Sequence, residues 1–330
     1  MKRTTICLKA FTLVEMSIAL VVLTIVGGLV YSTLMNSTTL MAKNLSLNSS
    51  NTLARAALDR MYSEMNQANR LPILINDDGT TVTDTTESAA GIIFDRYVGG
   101  PFVVGNPGTG LAATATTFNL FYSTDPLANP PVPVANDVVI MDGSTRALVS
   151  SCSTPTSTLA APTPTPAPTP GKMVTVTLQN NLGSYVNPPI ATGTAIPWGS
   201  NTQQTAYVVH RKAFLVVPVK GINGPPAELR MYPDAENLTA IISDPTKYVV
   251  LSREIGTMQR ANSQYESSTA TNYENKPFAI YTDAGTGTSF VSIAMRVEDQ
   301  QFNKRLATQQ SKEFNTFLRV DAVLRPRNVL

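Results

Sequence analysis

Hydrophobic and polar positions divide this chain into three regimes. From Phe11 to Tyr31 the residues are apolar almost without a break, and Glu15 is the one charge among them. At about 1.5 Å per residue a helix over this stretch measures roughly 31 Å, close to the hydrocarbon thickness of a bilayer. From Asn36 to Arg70 the sequence turns polar but keeps helical spacing. Leu53, Ala57, Leu58, Met61, Tyr62 and Met65 recur at steps of three and four, which predicts an amphipathic helix with one apolar stripe laid on a globular head. Leu71-Pro72 is read as its end, because the residue before proline avoids helical geometry.

Past residue 72 the period shortens to two. Strands are predicted at "TFNLFYS" (117–123), "DVVIM" (137–141), "MVTVTLQ" (173–179), "AYVVHRKAFLVVP" (206–218), "AELRMY" (227–232) and "KYVVL" (247–251). "SFVSIAMR" (289–296) and "FLRVDAVLR" (317–325) follow. In 173–179 Val174, Val176 and Leu178 are expected to point inward while the threonines face out. "GINGPP" (221–226) reads as a hairpin loop and "DAGTGTS" (283–289) as a glycine-rich turn. The segment 153–171 carries six prolines in a Thr/Ala background. It is expected to be extended coil, either a surface loop or a linker, with O-glycosylation as the alternative use. The predicted fold class is α+β: one long N-terminal helix packed on a mostly antiparallel sheet head.

Composition narrows the chemistry. Charged residues are 15% of the chain and the formal charge is +2. Lys2, Arg3 and Lys9 precede the apolar run, and without them the remainder is close to neutral, which gives no general grip on nucleic acid. His210 is the single histidine, and Cys7 and Cys152 are the two cysteines. A histidine-based triad or a zinc site therefore lacks material, and neither an enzyme nor a cofactor is expected. Cys152 is read as a buried free thiol. Asp77, Asp78, Asp84 and Glu87 gather around Gly79, but without the spacing of a calcium loop, and are read as a solvated turn. "VEDQQFNKR" (297–305) reads as an exposed turn or short helix. Arg296 to Arg327 holds seven Lys/Arg and four Asp/Glu with interleaved phenylalanines, a weak pattern for single-stranded DNA.

The apolar run admits three readings. A removable signal has a shorter apolar core and a small-residue cleavage site just beyond it. A plain anchor leaves Glu15 unexplained, since a charge within the bilayer is costly and normally has a partner. A cut between Ala10 and Phe11 would create an α-amine with a reference pKa of about 8, four residues before Glu15. In a helix bundle that amine could meet the carboxylate of a neighbouring subunit and fix the axial register. The basic flank places the N-terminus in the cytoplasm. Gly27 and Gly28 suit either ordinary membrane helix or a point of close approach or local melting.

"KAFTLVEMSIALVVL" resembles the N-terminal cleavage and methylation motif of type IV prepilins and type II secretion pseudopilins. The family nearly always has glycine before the cut; this chain departs from that with Ala10, a residue still small enough for the site. The closing "FLRVDAVLRPRN" is similar to the last strand of large minor pilins and pseudopilins of the PilW and J-pseudopilin type. The resemblance implies a leader (1–10), a membrane helix half (11–35), an amphipathic half (36–71) and a β-rich periplasmic head (72–330). It also implies cleavage between Ala10 and Phe11 by prepilin peptidase, N-methylation of Phe11 and assembly through Glu15. The implied partners are other pilins or pseudopilins, an inner-membrane assembly platform and lipid. The implied role is to initiate or cap a pilus or pseudopilus. The alternatives are a competence or adhesion tip subunit binding DNA or a surface ligand, and a plain membrane-anchored periplasmic domain.

Overall fold

The computed structural model describes residues 12–83, 88–105, 111–121, 132–141, 145–157, 172–185, 204–218, 227–255, 276–282, 285, 289–298 and 317–324. One helix, α1 (Leu13–Met65), runs uninterrupted through the membrane-length segment into the head. It ends before Leu71-Pro72, because the chain after Met65 is recruited by a strand. Asn69 N–H donates to Asp95 O, Tyr97 N–H donates to Gln67 O, and Ala68 bridges Arg96.

Strands make up most of the head: β1 (Ile73–Ile75), β2 (Gly91–Gly105), β3 (Thr117–Phe121), β4 (Asp137–Met141), β5 (Thr145–Cys152), β6 (Thr156–Ser157) and β7 (Lys172–Leu178). After them come β8 (Gln204–Pro218), β9 (Ala227–Tyr232), the one-turn α2 (Leu238–Ile241), β10 (Val249–Ile255), β11 (Phe278–Thr282), β12 (Ser289–Glu298) and β13 (Phe317–Leu324). All the strand pairings among the described residues are antiparallel. The chain is α+β, a long apolar helix with a large antiparallel sheet.

Two strands of 15 residues each, β2 and β8, organise the head. At about 3.4 Å per residue each is roughly 50 Å long, enough to serve two lobes. They pair with each other from Gly91↔Leu215 to Val104↔Gln204. In the first lobe β8 continues through β9 and β10 to β12, and β12 carries β11 and β13. The seat of α1 lies on this sheet. Ala54, Ala57, Met61 and Met65 are buried against Phe94, Phe214, Leu229, Met231, Ile293 and Met295. Phe94 and Phe214 stack at 5.4 Å between ring centroids. The opposite face is closed by Tyr232, Leu238, Leu215 and Ile75.

In the second lobe the pairings close on themselves in the order β2–β3–β7–β5–β4–β8–β2, a six-stranded antiparallel barrel. Every strand sends apolar side chains inward: Phe102 and Val104, Phe118 and Leu120, Val139 and Met141, Ala147 and Val149, Val174 and Val176, Ala206 and Val208. Closure leaves no free edge among these strands, which removes a route to unwanted strand pairing. β2 passes from sheet to barrel across two register shifts, where Gly100 takes φ +139°, a conformation that side-chain-bearing residues rarely adopt.

Three expectations change. The proline-rich segment is not coil throughout its described part, because Thr156 and Ser157 pair with Met173 and Lys172 of β7. Both keep backbone N–H groups that the following prolines lack. The stretch from Val297 is not a turn at its start either: Val297 and Glu298 extend β12 and pair with Leu318 and Phe317. Of the predicted amphipathic stripe, Leu53 and Tyr62 are exposed, so the seat is narrower than the periodicity suggested. The leader 1–10, Asp84, Glu87, residues 158–171 and 221–226 and most of the C-terminal basic section lie outside the described residues.

Candidate functional site

The part of the molecule that asks for an explanation is α1 before it reaches the head. Leu13–Leu45 is long and apolar enough to cross a membrane, and none of it is buried in the head. Five of its hydroxyl groups bond back to the helix's own carbonyls. Ser17 donates to Val14 O, Thr24 to Val21 O, Thr33 to Leu29 O, and Thr38 and Thr39 to Met35 O. Such back-bonding removes the penalty that unsatisfied hydroxyls would carry in lipid. A Cβ built at Gly27 or Gly28 would meet nothing within 4 Å.

Glu15 lies in the first turn, three residues after the N-cap Thr12. The two form a capping box. Glu15 N–H donates to Thr12 Oγ1 at 3.3 Å, while Thr12 N–H and Oγ1–H donate to Glu15 Oε2 at 2.9 and 3.0 Å. The box satisfies two backbone donors at a helix end and places a carboxylate at the positive pole of the dipole. Ala10 and Phe11 lie outside the described residues.

The seat of α1 is fastened by charge as well as by packing. Glu64, nearly buried, accepts a hydrogen bond from Lys212 Nζ of β8 at 2.8 Å, with Arg60 at 2.9 Å and Arg96 at 3.5 Å. Burial alone would raise the Glu64 pKa, but the Lys212 bond and the three cations outweigh it and hold the group below its ordinary value.

Where the lobes meet, buried Asp95 of β2 receives three arginines. Arg70 approaches from the segment after α1 at 2.7 Å, Arg146 from β5 in a bidentate pair at 2.8 and 2.9 Å, and Arg211 from β8 at 3.1 Å. Arg211 also pairs with Glu236 at 3.3 Å. Burial, helped by the charges of Asp95 and Asp234, pushes the Glu236 carboxyl above its ordinary value. These arginines are turned onto carboxylates of the same chain, so they do not form an open basic groove.

Other predicted residues are placed as follows. Asp78 Oδ1 accepts from the backbone and hydroxyl of Thr80 at 2.9 and 2.6 Å, a local turn. Among the described residues no three His, Cys, Asp or Glu side chains are grouped to hold a metal. Cys152 is a half-buried free thiol whose pKa is pushed up to about 11, chiefly by burial and then by the charge of Asp137. His210 is half-buried and joins two lobes. Its Nδ1 lies 2.6 Å from Asp137 Oδ1 and its Nε2 lies 2.7 Å from Pro233 O. The sequence carried no signal for this, because the partners lie 73 and 23 residues away.

Comparisons with protein-family models, with characterised proteins and with solved structures return no match to this chain.

Proposed function

We propose that this chain is a large minor pilin or minor pseudopilin, a subunit that joins a helical filament through α1 and starts or caps its assembly. It is inserted in a bacterial inner membrane with the head outside the cytoplasm, then cut between Ala10 and Phe11 and N-methylated at Phe11. Prepilin peptidase, the other pilins or pseudopilins and the assembly platform are its partners. The FTLVE motif supplies the family resemblance. One structural observation supports an assembly role over a plain anchor: the length of the apolar helix outside the head.

Among the described side chains of α1, Ala54 is the first that is buried in the head. Leu13–Leu45, none of it buried there, is roughly 50 Å of helix, more than a bilayer needs. Past Tyr31 the helix still carries exposed apolar side chains: Leu34, Leu40, Met41 and Leu45 are each more than half exposed. At about 100° per residue they spread over more than one side of the helix rather than along a single stripe. A tether gains nothing from apolar surface that continues past the thickness of a bilayer. A subunit packing its helix among other helices does, because those side chains are then removed from water.

The test is the mature N-terminus. In cells with an active prepilin peptidase, intact-mass and N-terminal peptide analysis should find a chain beginning at methylated Phe11. Retention of Met1 to Ala10 in those cells, with processing of a control prepilin intact, would reduce the protein to an anchored domain.

A further inference from the structure

β8 passes through both lobes, and its outer edge is shared. β4 of the barrel pairs with residues 206–210, and β9 of the helix-bearing lobe pairs with residues 213–218. Between them, at Arg211 and Lys212, the sheet forks. His210 is the last residue paired with β4, opposite Asp137. Its ring spans the fork, touching Asp137 on the barrel side and the Pro233 carbonyl, just past the end of β9, on the other. Asn136, held at φ 72°, adds a second stitch by donating to Asp234 and accepting from Gln179.

Both atoms that face the ring are acceptors. A carbonyl oxygen can only accept, and a carboxylate already accepting from Val134 N–H at 2.8 Å through its other oxygen is held in place. Satisfying both requires an N–H on each ring nitrogen, which is the imidazolium form. We propose that His210 is a protonation-dependent clamp between the two lobes, closed while the imidazole carries both protons and released when it loses either one. A neutral ring keeps one N–H, and its other nitrogen then turns a lone pair toward an oxygen. The lost contact is a hydrogen bond to a charged group or one bridging the fork, and neither lobe can follow the ring without leaving its own strand pairing.

The charges around the ring favour the closed form. Asp137 faces it from β4, and Asp234 from the segment after β9. Cys152 of β5, near Asp137, stays a neutral thiol. Arg96, its register partner on β2, is committed to Gln67 and Glu64. Arg211 is committed to Asp95 and Glu236, and Lys212 to Glu64. The Asp137 hydrogen bond outweighs burial, so the ring's pKa lies above its ordinary value. The clamp thus stays closed to a higher pH than an ordinary histidine would allow and opens as the pH rises through the folded-state pKa.

Because His210 is the single histidine, ring-labelled full-length protein in a non-ionic detergent gives one imidazole titration. Hydrogen–deuterium exchange is followed in parallel at residues 136–141 and 232–236, with 92–94 as the control, after correction for intrinsic rates. The expected result is an inflection above pH 6.5 and a rise in seam exchange on the order of tenfold over the control across that inflection. His210→Gln should exchange at the elevated rate at all pH values. Seam protection that stays constant through the inflection, or wild-type protection at pH 6 in His210→Gln, would overturn the clamp. Should that variant not fold, Asp137→Asn decides: the inflection and the opening pH must fall together, and an unmoved opening pH refutes the proposal.

Discussion

The pair that seats α1 offers a quantitative check on how the helix is held. Lys212 Nζ and Glu64 Oε2 are 2.8 Å apart, and the two side chains are 10% and 7% exposed. With an effective dielectric near 20 their attraction is ~6 kcal/mol. Removing each ion from water costs several kcal/mol, so the net contribution of the intact pair is small. Breaking it is another matter. Glu64→Gln leaves the ammonium of Lys212 nearly buried without its carboxylate, at a cost of about 3–5 kcal/mol. Lys212→Met leaves Glu64 with Arg60 and Arg96, which are 52% and 37% exposed, so the loss should sit at or below the lower end of that range. The double variant Glu64→Leu with Lys212→Met removes both desolvation penalties and should return to within about 1 kcal/mol of wild type.

Urea unfolding of the full-length chain in a non-ionic detergent, followed by far-UV circular dichroism, measures all three, with unchanged slopes required before the values are compared. Two results would refute the reasoning. One is single losses that simply add in the double variant, which would mean the groups do not interact. The other is Lys212→Met costing more than Glu64→Gln, which would mean the neighbouring arginines give Glu64 no support.

Other perturbations probe the shared strands and the ionic seam. Gly91→Ala should cost at least about 3 kcal/mol, because its new Cβ would lie 2.5 Å from Phe214 O, inside the β2–β8 ladder. Gly105→Ala is the control: its Cβ would meet only a Phe121 ring atom at 3.9 Å, so its melting temperature should stay near wild type. Stability should also fall away on both sides of an optimum in mildly acidic solution. The Glu64 pKa is depressed, so its contribution is present above the ordinary 4.5 and is lost as pH falls through the folded value. The His210 pKa is raised, so its contribution is complete below the ordinary 6.5 and is lost as pH rises through the folded value. Glu236, also raised, works against Glu64 on the acid side. Urea midpoints across pH 4 to 9 check this, and a midpoint that climbs steadily to pH 9 contradicts it.

What could be read from the sequence depended on whether local pattern and tertiary role agreed. β7 alternates strictly and buries Val174, Val176 and Leu178, as its spelling says. β4 is a short apolar run, and β9 and β12 place apolar residues at alternate positions, so they too were legible. β2 was not. "GIIFDRYVGGPFVVG" carries a charge pair and a Gly-Gly-Pro at its middle, features that ordinarily break a strand. Here Asp95 anchors the arginines of the seam, and the glycines let the strand pass from sheet to barrel. β5 hides for a different reason: its inward residues Thr145, Ala147 and Val149 are too small or polar to signal a core strand. The closed barrel could not be inferred at all. It rests on pairings such as β2 with β8 and β3 with β7, whose partners lie far apart in the chain, and no local signal encodes them. The membrane-length helix and Glu15 were legible because they depend only on consecutive residues, whereas the seat and the clamp depend on contacts made by the fold.

Glu15 carries the last prediction. In the single chain its carboxylate is not waiting for a partner, since it already closes the box with Thr12. Insertion into lipid therefore need not await a neighbour, and pairing with an amine in a bundle would exchange one satisfied arrangement for another. Two substitutions separate these roles. Glu15→Ala removes both the cap and the charge, so a defect could come from a frayed helix end alone. Glu15→Gln keeps an oxygen that can accept from Thr12 but removes the charge that an amine would seek. If the carboxylate sets register between subunits, both variants should reach the membrane in normal amounts, and both should be depleted from filaments at least tenfold, measured by immunoblot of sheared fibres against the cell fraction. Normal entry of Glu15→Gln, with Glu15→Ala impaired, would show that Glu15 serves only to cap its own helix, and the register argument would fall.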